Sequence, residues 1–348
     1  MQDIFEEYLR EKEPQKKEKG YAWHTAIGLQ AVDGLETSEY LIETAKKNIE
    51  GDITFEEANK LIHSYYKENI KHIGNDRTEE ADKVSVRIAQ ILSEKSFVFS
   101  PAQYTSIHKR LFDGVYKHAG EIRDYNITKA EWVLDGDTVM YGGALDLRAT
   151  LDYDFSVEKE FSYKGLSIDE TIKHLAVFIS RLWQIHIFGE GNTRTTAVFF
   201  IKYLKTLGFD VTNDIFAENA WYFRNALVRA NYTNLKKDIH ETTEFLESFL
   251  RNLLLGENNE LKNRYLHIKS VSKCQNDTID GTINVTIDQI VVFRLLKENS
   301  KITQKQIAEK INKSERTVKR IVEELRKNGY IVREGSSRSG YWKILKDI

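Results

Sequence analysis

Apolar residues recur at helical spacing through most of this chain. Ile172, Leu175, Ala176, Phe178, Ile179, Leu182 and Trp183 fall at three- and four-residue steps, which predicts an amphipathic helix. Ala197 to Leu207 is apolar on nearly every face, the pattern of a buried central helix, and Gly208 is placed to cap it. Near the start, Trp23, Ala26, Ile27 and Gln30 lead to Val32-Asp33-Gly34-Leu35, where the glycine ends a helix. Thr37 and Ser38 suit the start of the next, and Thr54-Phe-Glu-Glu57 is a capping box opening a third. Strand signals are local. Trp132, Val133 and Leu134 run into the hairpin turn signal Asp135-Gly136, and Thr138, Val139 and Tyr141 return. Such a hairpin is marginal alone and must lie against a helical body. Toward the end, Ile287 to Glu298 and Thr303 to Ile311 read as helices, followed by an Asn312-Lys313 turn. Ser314 caps a third helix ending at Asn328-Gly329, and Tyr330 to Ile344 gives two short strands around a flexible tip.

The chemistry concentrates between the two strongest helical patterns. His186-Ile-Phe188-Gly-Glu190-Gly191-Asn192-Thr193-Arg194 is a short loop running into a helix N-terminus, where free backbone N–H groups and the helix dipole favour an anion. Gly189 and Gly191 let backbone N–H groups approach a phosphate, and Arg194 adds a bidentate contact. Glu190 suits Mg²⁺, which takes one carboxylate plus phosphate oxygens. His186, with a reference pKa of about 6.5, suits removal of a proton from a hydroxyl. Phe188 anchors the loop in the core. His186 and Glu190 at i, i+4 also fit a zinc helix, but the glycines argue for a loop and no third ligand follows. The implied reaction is attack of a hydroxyl on a nucleotide phosphate.

This segment resembles the signature loop of the Fic family, His-x-Phe-x-(Asp/Glu)-Gly-Asn-(Gly/Lys)-Arg-x-x-Arg. The run Leu111-Phe-Asp-Gly-Val-Tyr116-Lys-His-Ala119-Gly120-Glu121-Ile-Arg123 resembles the family's lead-in, and Trp221-Tyr-Phe-Arg224-Asn225-Ala226-Leu227 the helix closing the nucleotide side. The resemblance covers roughly residues 80 to 255. It implies transfer of AMP from ATP to a Ser, Thr or Tyr hydroxyl of a target protein, with ATP as co-substrate and Mg²⁺ as cofactor. It makes His186 the base, Glu190 the metal ligand, and Gly189, Gly191, Asn192, Thr193 and Arg194 the nucleotide-binding residues. By the same resemblance, the hairpin at Trp132, Val133 and Leu134 is a flap that takes the target segment as an added strand.

Two positions depart from the family pattern. Thr193 stands where Gly or Lys is usual, a mild change. Ala197 replaces the second arginine, which in the family holds the γ-phosphate. A charge-assisted hydrogen bond contributes about 1.5–3 kcal/mol, so ATP placement weakens roughly ten- to a hundredfold, or a different nucleotide is preferred.

Ala26-Ile-Gly-Leu29-Gln-Ala-Val-Asp33-Gly34 resembles the inhibitory helix of antitoxin modules found with Fic domains, which carries (Ser/Thr)-x-x-x-Glu-(Gly/Asn). Its glutamate pairs with the second arginine. Here Asp33, followed by Gly34, faces Ala197 and is expected to make no ion pair, so inhibition is expected to be weak. An ordinary amphipathic helix pair is the alternative.

The C-terminal helix, helix-turn-helix and strand-tip-strand resemble a winged helix. From Val285 to Ile348 there are 15 Lys and Arg against 8 Asp and Glu, on a chain whose net charge is −2. A basic module on an otherwise acidic protein points to DNA as a partner. Ser314, Arg316, Thr317, Lys319 and Arg320 on the third helix, with Arg338 and Lys343 on the wing, are the candidate contacts. A winged helix used for protein contacts is the competing reading.

With 348 residues, two prolines and the single Cys274, the chain is long enough for several helical domains and lacks a disulfide framework or cysteine zinc site. No long apolar run or signal peptide is present, so a soluble, cytoplasmic protein with no membrane partner is expected. The expected organisation is mainly α: a charged arm over 1–20, poorly ordered; an antitoxin-like segment over 21–75; a Fic-type bundle with a β-hairpin flap over 76–255; a connector over 256–284; and a winged helix over 285–348. A DNA-binding regulator whose nucleotide site acts as a sensor is the alternative to the transferase.

Overall fold

Most helices begin and end where the sequence is punctuated. The computed structural model describes residues 5–9, 13–68, 77–211, 214–268, 292–293, 295–297, 299–311, 313–327, 329–334 and 340–345. The chain divides into two compact units, Met1–Ser270 and Val271–Ile348. In the first unit the helices are α1 (Glu6–Leu9), α2 (Pro14–Gly28), α3 (Glu39–Glu50), α4 (Phe55–Glu68), α5 (Thr78–Ser93) and α6 (Pro101–Phe112). They continue as α7 (Leu147–Glu160), α8 (Ile168–Ile185), α9 (Asn192–Thr206), α10 (Ile215–Arg229), α11 (Glu244–Leu255) and α12 (Asn263–Leu266). Ser38 caps α3 by accepting from the Leu41 N–H. The expected Thr54/Glu57 capping box forms with both reciprocal bonds, and Ser167/Glu170 makes another at α8. A 3-10 turn, Leu29–Asp33, continues α2 and is closed by Gly34 in the left-handed region.

One hydrophobic core runs from Phe5 to Ile268, so the N-terminal segment is not a separate body. Trp23, Ala26 and Leu29 of the α2 region share it with Ile172, Leu175 and Phe199. The expected boundary at residue 21 moves: α2 starts at Pro14 and Gly20 is already buried. The charges of this stretch face outward and find partners, as in Lys16 to Glu50 at 2.9 Å. Leu266 and Ile268, expected in a connector, also belong to this core. The rest of that connector, from residue 269 on, lies outside the described residues.

The flap is built differently from expectation. The reversal at Asp135-Gly136 is present, with both residues at positive φ. Trp132–Leu134, however, forms a 3-10 turn rather than a strand. The Glu131 N–H donates to Asp137 O at 2.9 Å, and among the described residues no strand ladder follows. Val133 and Leu134 are buried in the core and unavailable to a target, while Trp132 is 48% exposed. Burial of two consecutive apolar side chains, which a half-exposed strand would send to opposite faces, selects the turn.

In the second unit, α13 (Gln304–Lys310) and α14 (Glu315–Lys327) precede β1 (Ile331–Glu334) and β2 (Tyr341–Ile344). The strands are antiparallel, with Ile331 opposite Ile344 and Glu334 opposite Tyr341. Val292, Phe293 and Leu296, described parts of the expected 287–298 helix, share a second core with Ile307, Val318, Leu325 and Trp342.

Candidate active site

Helix α8 ends at His186, which takes a left-handed backbone (φ 51°) and turns the chain into the signature loop. Its ring is 4% exposed, lying 4.4 Å from the Tyr141 ring and edge-on to Trp183. Nδ1 is 3.2 Å from Trp183 O. A carbonyl only accepts, so this bond places the proton on Nδ1 and leaves the lone pair on Nε2. Nε2 is buried and has no hydrogen-bond partner. Burial holds the imidazole well below its ordinary pKa, with the Lys129, Arg224 and Arg123 charges adding to the effect. The imidazole is held neutral and in one orientation, with its Nε2 lone pair free.

Helix α9 begins beneath it at Gly191, whose φ of 70° no side-chain residue adopts easily, and where a Cβ would meet the Phe112 ring at 2.4 Å. At Gly189 a Cβ would meet the Tyr125 hydroxyl at 2.6 Å. Asn192 locks the loop: its Nδ2 donates to Phe188 O at 2.7 Å, and its Oδ1 accepts from the Phe188 N–H at 3.1 Å. Thr193 Oγ1 accepts from Trp183 Nε1 at 3.0 Å. These two side chains therefore build the loop, and the contribution left to a ligand is the uncapped helix N-terminus itself. Phe188 is the expected core anchor, stacked on His108 with ring centroids 3.6 Å apart.

Arg194 overturns the expectation for Asp33. The arginine is 0% exposed, and its Nε is 2.8 Å from Asp33 Oδ2. Nη1 donates to Gln30 Oε1 at 2.9 Å, and Nη2 to Glu80 Oε1 at 2.6 Å and Tyr116 OH at 2.9 Å. The Phe112 ring lies 4.9 Å from the guanidinium carbon. Asp33 does make an ion pair, with the first arginine of the motif rather than the absent second one. Ala197 is buried among apolar neighbours, one helical turn further along α9.

Glu190 is exposed on the loop. Among the described residues no group of three or more His, Cys, Asp or Glu side chains could hold a metal. One carboxylate beside a helix N-terminus fits Mg²⁺, which completes its shell with substrate phosphates and water.

Sequence reading missed the residues that hold this loop in place. Arg123 Nε donates to His186 O at 2.7 Å, and its Nη2 to Gly142 O at 2.6 Å; Nη1 donates to Tyr125 O. One guanidinium thus ties His186 to the backbone at Tyr125 and Gly142. His108 Nε2 donates to Glu190 O at 3.0 Å, and its Nδ1 accepts from the Gly120 N–H at 2.8 Å. Burial pushes His108 down to about 4. Arg123 closes the lead-in stretch and His108 lies on α6 just before it, where polar residues at buried helix or turn positions were the available signal.

Residues 98–204 match the model of the Fic/DOC family. The chain carries a Fic/DOC domain. Its C-terminal residues 290–332 match the winged helix-turn-helix DNA-binding family. A Fic family protein from Desulfovibrio desulfuricans G20, solved at 2.70 Å, is similar in structure with 12% identity and a TM-score of 0.46, over 99% of this chain and 93% of that one. The N-terminal FIC domain of Bep8, a VirB-translocated effector from Bartonella sp. 1-1C, is similar with 19% identity and a TM-score of 0.40, over 53% and 88%. No curated protein matches. Outside the Fic/DOC domain, no helix among the described residues is long and apolar enough to cross a membrane, and none inside it is either.

On the winged helix, Arg316, Lys319 and Arg320 are exposed on α14 and make no ion pair among the described residues. Ser314 is occupied as a cap, accepting from the Thr317 N–H at 3.2 Å and bonding the Thr317 hydroxyl at 2.9 Å. Lys343 pairs with Glu334 at 2.8 Å. Arg338 lies outside the described residues.

Proposed function

We propose that this chain moves a nucleotide monophosphate, AMP first, from a nucleoside triphosphate to a Ser, Thr or Tyr hydroxyl of a target protein. The observation that carries this reading is the neutral His186, whose Nδ1–H is fixed on Trp183 O while Nε2 stays unpartnered. Nε2 takes the hydroxyl proton as the oxygen attacks the α-phosphorus and pyrophosphate leaves. The α9 N-terminus holds phosphate oxygens through backbone N–H groups. Glu190 would hold Mg²⁺, which supplies charge neutralisation on the phosphates. Trp132 and the more exposed Met140 are the apolar side chains of the flap left to meet the target.

Arg194 is committed to Gln30, Asp33 and Glu80, so a nucleotide gains its charge only by displacing carboxylates. On this reading Asp33 and Gly34 act as the inhibitory end of the N-terminal segment. Arg316, Lys319 and Arg320 bind DNA, with Thr317, Lys343 and Arg338 as secondary contacts.

Buried Ala197 supplies no second cation, which favours a second reading: a DNA-bound regulator that senses nucleotide. Both are tested by incubating the full chain with Mg²⁺ and each α-phosphate-labelled nucleoside triphosphate. Protein-bound label that disappears in His186→Ala and increases in Asp33→Ala supports transfer and names the nucleotide. Absence of label from folded wild type and Asp33→Ala, with nucleotide altering DNA affinity, selects the sensor.

A further inference from the structure

Glu131 is 0% exposed, and burying a polar carboxyl group costs free energy unless it finds partners. Here its Oε1 accepts from the Tyr141 hydroxyl at 2.7 Å, and its Oε2 is 2.7 Å from Arg224 Nη1. Arg224 comes from α10 and lies over Trp221, with its guanidinium carbon 5.1 Å from the ring centroid. Tyr141 is the residue whose ring faces His186 at 4.4 Å. Its neighbours are tied to α8, Gln184 Nε2 donating to Met140 O at 3.1 Å and the Gly142 N–H to Gln184 O at 3.3 Å. A buried carboxylate therefore joins the flap, α10 and the aromatic wall of the base.

We infer that Glu131 is a positioning residue for the proton transfer, holding the Tyr141 ring against His186 and neutralising Arg224 beside it. The inference rests on His186 acting as the base. The charged groups bearing on the imidazole are Lys129, Arg224 and Arg123, all cationic. Glu131 offsets Arg224, so its removal leaves the imidazole facing a bare cation and weakens it as a base. Tyr141 stays a neutral donor, since burial and the Glu131 carboxylate both push its phenol up.

The test uses the full chain with ring-labelled histidine, the His186 resonance being assigned by its loss in His186→Ala. Glu131→Gln is expected to move the His186 titration to lower pH, Arg224→Gln to higher pH, and the double variant back towards wild type. In the labelling reaction, Glu131→Gln should lower kcat about ten- to a hundredfold with little change in nucleotide KM, and the double variant should recover part of the loss. Tyr141→Phe keeps the ion pair and loses only the hydroxyl, so it should lower kcat without the Glu131→Gln shift in titration. It also carries the test if Glu131→Gln does not fold. Titrations unmoved in both single variants, or a double variant as impaired as the worse single one, would overturn the inference. Titrations that move as expected without labelling in wild type would instead reject the transferase reading.

Discussion

Arg194 holds a permanent charge with no exposed surface, and it meets that condition by donating to Glu80, Gln30 and Tyr116 and pairing its charge with Asp33 as well. Arg194→Ala leaves Glu80 paired with Arg77 at 2.8 Å but loses the buried bonds to Gln30, Glu80 and Tyr116, and should cost about 1–3 kcal/mol in urea unfolding. Arg194→Lys should recover little of it, because one ammonium does not reach Gln30, Asp33 and Glu80 together. Asp33→Ala should be milder, since its side chain is 30% exposed and keeps access to water. His108 sets a pH dependence of its own. The folded chain keeps it neutral down to about 4, whereas the unfolded chain protonates it near its ordinary 6.5. Stability is therefore lost as pH falls from the unfolded value to the folded one, by up to roughly 3 kcal/mol. His108→Gln should be less stable than wild type at neutral pH, and the gap should narrow towards pH of about 4 in denaturant titrations.

Element ends were the most legible feature of the chain. Thr54/Glu57, Gly34 and the Asp135-Gly136 reversal act locally, and a local signal is present in full in the sequence. The periodicity from Ile172 to Trp183 likewise gives α8, because one face of it lines the core. What the chain does just before Asp135 was not legible, since burial of Val133 and Leu134 depends on helices far away in sequence. The partner of Asp33 was missed for the same reason: a one-to-one correspondence with the absent second arginine said nothing of Arg194, Gln30 and Glu80 converging on the same place. Among the elements, the start of α9 is the least tolerant. Gly191→Ala combines a left-handed backbone, about 1–2 kcal/mol for an L-residue, with a collision on the Phe112 ring. It should abolish nucleotide binding by calorimetry while leaving the far-ultraviolet helix signal largely intact.

Over the whole molecule, charge is divided unevenly: the stretch from Val285 carries 15 cationic against 8 anionic side chains, while the chain as a whole is at −2. Proposed DNA affinity should accordingly fall steeply with salt, and Arg316→Ala should reduce the slope of log K against log salt by about one. The approach of α2 to α10 has a consequence in time. Gly28 lies so close to Ala217 that a Cβ would come within 2.3 Å of its carbonyl oxygen, and His24 meets Asp214 at 2.8 Å, 190 residues downstream. During synthesis, at about 5–20 residues per second, the N-terminal helix waits many seconds for the surface it packs on. Asp33 and Glu80, by contrast, leave the ribosome well before Arg194 does. The carboxylates are on hand when the arginine emerges, so its charge does not have to wait for the partners that neutralise it on burial.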